Sequence, residues 1–127
     1  VSGSQLQKER ESMDALVPIF EKQFGEDEVQ AVSARDLHEF LESKQQFTDW
    51  IGKRIAQTGF QEGIDYLIDR TIKQLPSGGK HFTNYIISLD MAKHLAMMER
   101  NAKGKEVRNY FLECERRLRK QLKDNPL

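Results

Sequence analysis

The chain has 127 residues, of which 31% are charged and 38% apolar, and its 20 basic and 20 acidic side chains cancel. That length suits one domain with its own core and excludes two comfortable ones. The single cysteine excludes an internal disulfide, and no apolar run approaches the roughly 20 residues a membrane-crossing helix needs. The expectation is a soluble, cytoplasmic protein with a flexible N-terminal segment or cloning remnant over residues 1–12, one domain over 13–123 and a short tail over 124–127.

In chain order, Met13, Leu16, Val17, Phe20 and Phe24 recur at helical spacing, and Gly25 stands where a left-handed cap would close a helix. Pro18 restricts that helix: either it begins near Val17, or residues 15–19 are extended and a shorter helix follows. Glu26, Asp27 and Glu28 read as a loop and residues 29–32 as a short strand. Ser33 is placed to cap a helix over 34–43 carrying Leu37, Phe40 and Leu41, with Asp36 completing a weak capping box. A polar break at 43–46 leads to a second helix with Phe47, Trp50, Ile51 and Ile55 inward, ending near Gly59; this is helix-turn-helix spacing.

The period then changes. Residues 64–74 and 81–87 alternate around Pro-Ser-Gly-Gly at 76–79, which predicts a β-hairpin. Ser88 is a good N-cap and Asp90 sits in the first turn, where a helix favours negative charge; the helix runs to about Asn101 with Met91, Ala92, Leu95, Ala96 and Met98 inward. Gly104 marks a break. Beyond it Val107, Phe111, Cys114, Leu118 and Leu122 form a heptad-like seam of two repeats, too short to establish a coiled coil, so it packs on its own domain or serves as a dimer seam. The predicted class is α+β: a mostly helical single domain of about five helices and one β-hairpin, winged-helix-like in element order, with a long C-terminal helix.

The spacings that carry catalysis or metal binding are missing. His38, His81 and His94 are far apart with no second cysteine to join them. Gly78-Gly79-Lys80 lacks the earlier glycine of a phosphate-binding loop and falls at a hairpin tip. Cys114 lies on an apolar stripe, where a thiol packs as a small hydrophobe. Asp90 and Glu99 suit capping and surface ion pairs, Glu99 with Lys103 four residues on. The expectation is a protein without catalytic residues, cofactor or metal.

Macromolecular binding is the class that remains. Residues 1–28 carry three basic and seven acidic side chains, whereas residues 100–123 carry nine basic and three acidic, a polarity that attracts an acidic partner or a phosphate. In a winged helix the second helix enters the major groove and the hairpin touches the backbone. Lys53 and Arg54 on that helix, Arg70, Lys73, Lys80 and His81 on the hairpin, and Arg100, Lys103, Lys105 and Arg108 before the last helix are the candidate nucleic-acid or partner contacts. The competing mode is protein recognition, for which Met91, Met97 and Met98 offer adaptable thioethers, with core filling as their plainer use.

Four separated blocks carry a family resemblance: Ala-Arg-Asp-Leu-His at 34–38, Phe47 with Trp50 and Ile51, Gly-Phe-Gln-Glu-Gly-Ile-Asp-Tyr at 59–66, and the long stretch 88–111, from Ser-Leu-Asp-Met-Ala-Lys through Glu-Arg-Asn to Tyr-Phe. In this the chain resembles the AntA/AntB family of phage antirepressor domains, which is similar in turn to the Bro and KilA amino-terminal domains associated with DNA binding. The resemblance implies a phage or prophage regulator that relieves repression of lytic genes by engaging a repressor protein, with a DNA-binding regulatory module as the alternative. It marks Arg35, Asp36, His38, Asp90, Lys93 and Glu99 as motif positions, with Arg35, Asp36 and His38 either an internal ion-pair network or a partner contact.

Overall fold

The computed structural model describes residues 16–75 and 78–124. In chain order it contains β1 (Ile19–Phe24), β2 (Asp27–Ser33), α1 (Ala34–Leu41), α2 (Phe47–Thr58), β3 (Tyr66–Leu75), β4 (Gly78–Ser88), α3 (Leu89–Met98) and α4 (Ala102–Asp124). The strands form one antiparallel sheet in the order β1-β2-β4-β3. The class is α+β with a long last helix, as expected. Met13 and the segment 1–12 lie outside the described residues, as do Pro76, Ser77 and the end of the tail.

The first helix of the sequence reading is a strand. Phe20 and Phe24 are four apart, a spacing that fits one face of a helix and equally one face of a strand, and Pro18 removes a donor that a helix would need. What decides is pairing: Ile19 through Phe24 match Val32 through Asp27 rung by rung. Gly25 does adopt a positive φ of 63°, but it opens the two-residue turn of a hairpin, where glycine in the first position suits the strand twist. Asp27 and Glu28 accordingly belong to β2 and not to a loop.

Two serines convert strands into helices. Ser33 ends β2 and its Oγ accepts from the Asp36 amide at 3.3 Å; Ser88 ends β4 and its Oγ accepts from the Met91 amide at 3.1 Å. Each satisfies an orphan donor of the first turn. The helices then pack back against β2 and β4, and α4 lies along α3. Ala31 and Val32, which point to opposite faces of a strand, are both fully buried, so the end of β2 is covered on both sides.

The core joins Leu37 and Leu41 of α1, Phe47, Trp50 and Ile51 of α2, Ile87 of β4, Met91 and Leu95 of α3, and Val107 and Phe111 of α4. Complete burial of an aromatic side chain such as Trp50 or Phe111 contributes about 2–3 kcal/mol each. The heptad-like seam is thereby divided. Val107 and Phe111 are buried in the chain's own core, Cys114 and Leu118 are half-buried, and Leu122 is 66% exposed.

Gly104 is not the break. The chain turns at Arg100, whose φ of 54° is left-handed, and α4 begins at Ala102. Gly104 lies within the first turn of α4, buried, where a Cβ would overlap the Ala96 carbonyl oxygen. The missing side chain lets α4 close on the end of α3.

The winged-helix expectation holds in element order and departs in the sheet. β4 is an inner strand: it pairs with β3 along its length and with β2 through Ile86, Ile87 and Ser88. The rest of the β3–β4 ladder continues past β2 as a two-stranded ribbon.

Candidate functional site

The motif residues are spent on fastening the helices to one another and to the sheet. Trp50 on α2 is fully buried, and its indole Nε1 donates to Glu99 Oε1 at 2.7 Å. Arg54 Nη2 donates to the same oxygen at 3.1 Å and its Nη1 to Gln57 Oε1 at 3.0 Å. Glu99, at the end of α3, thus holds α2 in place, and the pair with Lys103 anticipated from helical spacing is not the one it makes. Lys103 instead sits over the Phe40 ring, 5.0 Å from its centroid.

On α1 the same pattern recurs without an ion pair. Arg35 donates from its amide to Asn84 Oδ1 at 3.2 Å and from Nε to the Thr83 carbonyl at 2.9 Å, with its guanidinium 4.3 Å above the Phe47 ring. Asn84 also donates to the capping Ser33 hydroxyl at 2.8 Å. Nothing in the sequence pattern singles out Asn84, since Arg35 and Ser33 lie 49 and 51 residues away. His38 Nε2 lies 2.8 Å from the Gln45 carbonyl, and its ring packs on Trp50 and Phe47. Burial, reinforced by the charge of Glu39, raises the Asp36 carboxyl above its ordinary value.

Lys93 joins α3 to α4, with Nζ 3.1 Å from Asp90 and 2.7 Å from Glu115. Burial alone would lower the pKa of this ammonium. The hydrogen bonds to Glu115 and Asp90, with their charges, outweigh that and hold it above the usual lysine value.

Arg54, then, is turned inward, whereas Lys53 points outward from α2 with Thr48, Asp49, Gly52, Ala56 and Gln57, as its spacing predicts. Arg70 is exposed on β3 opposite Thr83; the register sets Lys73 opposite Lys80 and His81 opposite Ile72. The structure brings together Arg100, Lys105 and Arg108, which line a cleft of about 590 Å³ with Met97 and Asn101 at the corner between α3 and α4. Of the three methionines singled out on α3, Met91 is buried, Met98 half-buried and Met97 55% exposed. Among the described residues no helix is long and apolar enough to cross a membrane.

The domain is thus a four-stranded antiparallel sheet backed by helices, with Arg35, His38, Lys93 and Glu99 engaged within it and a cationic cleft at one corner. The model of the AntA/AntB antirepressor family matches residues 32–101, more than half of the chain, and the chain belongs to that family. No curated protein and no solved structure matches it.

Proposed function

We propose that this protein is a non-enzymatic phage or prophage antirepressor that relieves repression of lytic genes by binding a repressor protein in the bacterial cytoplasm. The family match over residues 32–101 carries the reading. It is supported by where the motif residues lie: Arg35, His38, Trp50, Lys93 and Glu99 fasten helices to the sheet, to a loop or to one another, so the signature builds a scaffold whose outer surface does the recognising.

The test is a gel shift with labelled operator and its repressor, titrated with this protein. Release of free operator, together with a repressor complex seen by sizing in the absence of DNA, is the expected result. An operator that stays bound, with no such complex, removes the proposal.

One observation favours a second reading, direct DNA contact. The β3–β4 ladder extends from Tyr66 opposite Ile87 to Leu75 opposite Gly78, and Arg70, Lys73, Lys80 and His81 occupy its outer part. A two-stranded ribbon fits a major groove. Binding of this protein alone to the operator, falling steeply with salt, would support that reading in place of the first.

A further inference from the structure

We infer that the corner between α3 and α4 is a docking surface for an acidic segment of the partner protein, anchored by one apolar side chain. The inference rests on the repressor-binding reading and adds to it the place and the chemistry of contact. Arg100, Lys105 and Arg108 face one cleft, and no aspartate or glutamate lines it. Elsewhere the half-buried cations are engaged: Arg54 by Glu99, Lys93 by Asp90 and Glu115, Arg35 by the Thr83 carbonyl and the Phe47 ring, and Lys103 by the Phe40 ring. Of the carboxylates adjacent in sequence, Glu99 is turned away toward Trp50 and Arg54, and Glu106 is not among the residues that line the cleft. Three positive charges therefore face the cleft with no countercharge in its walls, and the complement is an acidic group.

Two further features narrow the occupant. Met97 is 55% exposed at the cleft, and a flexible thioether beside mixed polar groups adapts to an incoming apolar side chain. Arg100 has a φ of 54°, a conformation that glycine or asparagine adopts at helix ends with less strain, so the backbone there favours a smaller residue and the guanidinium is held at the cleft mouth regardless. At the start of α4, Asn101 Oδ1 accepts from the Gly104 amide at 2.7 Å, so that donor is not offered to the cleft. A duplex would instead seek cations spread along its phosphates, and these three converge on one cleft.

The probe is a fluorescent peptide with glutamates flanking one leucine, titrated by anisotropy beside its glutamine counterpart, its leucine-to-serine counterpart and a DNA duplex. Wild type should bind the first peptide best. Combining Arg100→Gly, Lys105→Gln and Arg108→Gln should weaken it about tenfold, as three exposed charge contacts would, and Met97→Ser should weaken it several-fold. Arg100→Gly alone should melt at or above the wild-type temperature, so its loss of binding is not unfolding. Failure to bind the acidic peptide, equal binding of the glutamine peptide, unchanged affinity in the triple variant, or preference of this corner for the duplex would each overturn the inference. Repressor titrations separate the two levels. Equal repressor affinity of wild type and triple variant overturns this surface and leaves the antirepressor reading standing. A wild type that ignores the repressor yet binds the acidic peptide in the manner described removes that reading and leaves the surface.

Discussion

The Glu99 carboxylate receives the Trp50 indole and the Arg54 guanidinium on one oxygen, with 10% of its own side chain and 17% of Arg54's exposed. Arg54 Nε is buried there with no hydrogen-bond partner, so the guanidinium depends on this one negative charge. Glu99→Gln keeps an acceptor for Trp50 and removes the charge; it should cost about 2–3 kcal/mol, since a largely buried cation left uncompensated is more expensive than the pair is valuable. Urea unfolding measures this, and a loss below about 0.5 kcal/mol, typical of a surface position, would contradict it. Lys93 makes a different prediction. Its folded pKa is raised, so its contribution is complete below the ordinary value of 10.5 and disappears as pH climbs through the elevated one. Wild type should lose more stability than Lys93→Met over that alkaline range, and parallel curves would refute it. The sequence shows the caps at Ser33 and Ser88 because their partners are three residues away. It hides the Trp50–Glu99 bond because the partners are distant along the chain, and the local candidate Lys103 stands in for Arg54.

At the scale of elements, the approach of α4 to α3 depends on Gly104. Gly104→Ala would drive a methyl group into the Ala96 carbonyl, and the rearrangement should cost about 1–3 kcal/mol, read as a lower melting temperature; a variant as stable as wild type would mean the helices can part freely. The last helix should respond unevenly along its length. Phe111→Ala is expected to cost about 3–5 kcal/mol, whereas Leu122→Ala, at a position 66% exposed, should stay within about 0.5 kcal/mol. Equal losses in denaturant titrations would contradict the division of the seam. The four helices after β2 and the long hairpin are legible because their apolar periods persist over many residues, with local serine caps at Ser33 and Ser88. β1 is not, since Phe20 and Phe24 satisfy both periods and only the partner strand chooses between them.

For the molecule as a whole, zero net charge conceals a layout that matters. Glu99 and Lys93 are matched by Arg54 and Glu115, and three cations meet in a cleft lined by no carboxylate where α3 meets α4. The nine basic residues between 100 and 123 are visible in the sequence, but not which of them converge: Arg116 and Arg117 answer Glu113 along the helix surface, while Arg100, Lys105 and Arg108 are brought to one cleft by the left-handed residue and the close helix approach.

The junction of β2 with β4 governs how the chain finds this arrangement. Ala31 meets Ser88 and Val32 meets Ile87 only after α1, α2 and β3 have been spanned, whereas β1 with β2 and β3 with β4 join across two-residue connections. Both ribbons can zip within microseconds, but uniting them closes a large loop whose entropy must be lost before any contact rewards it. Pairing at the three rungs between β2 and β4 is therefore expected to limit refolding, and Val32→Ala should slow the folding limb in stopped-flow measurements as well as lower stability; an unchanged folding rate would place the slow step elsewhere.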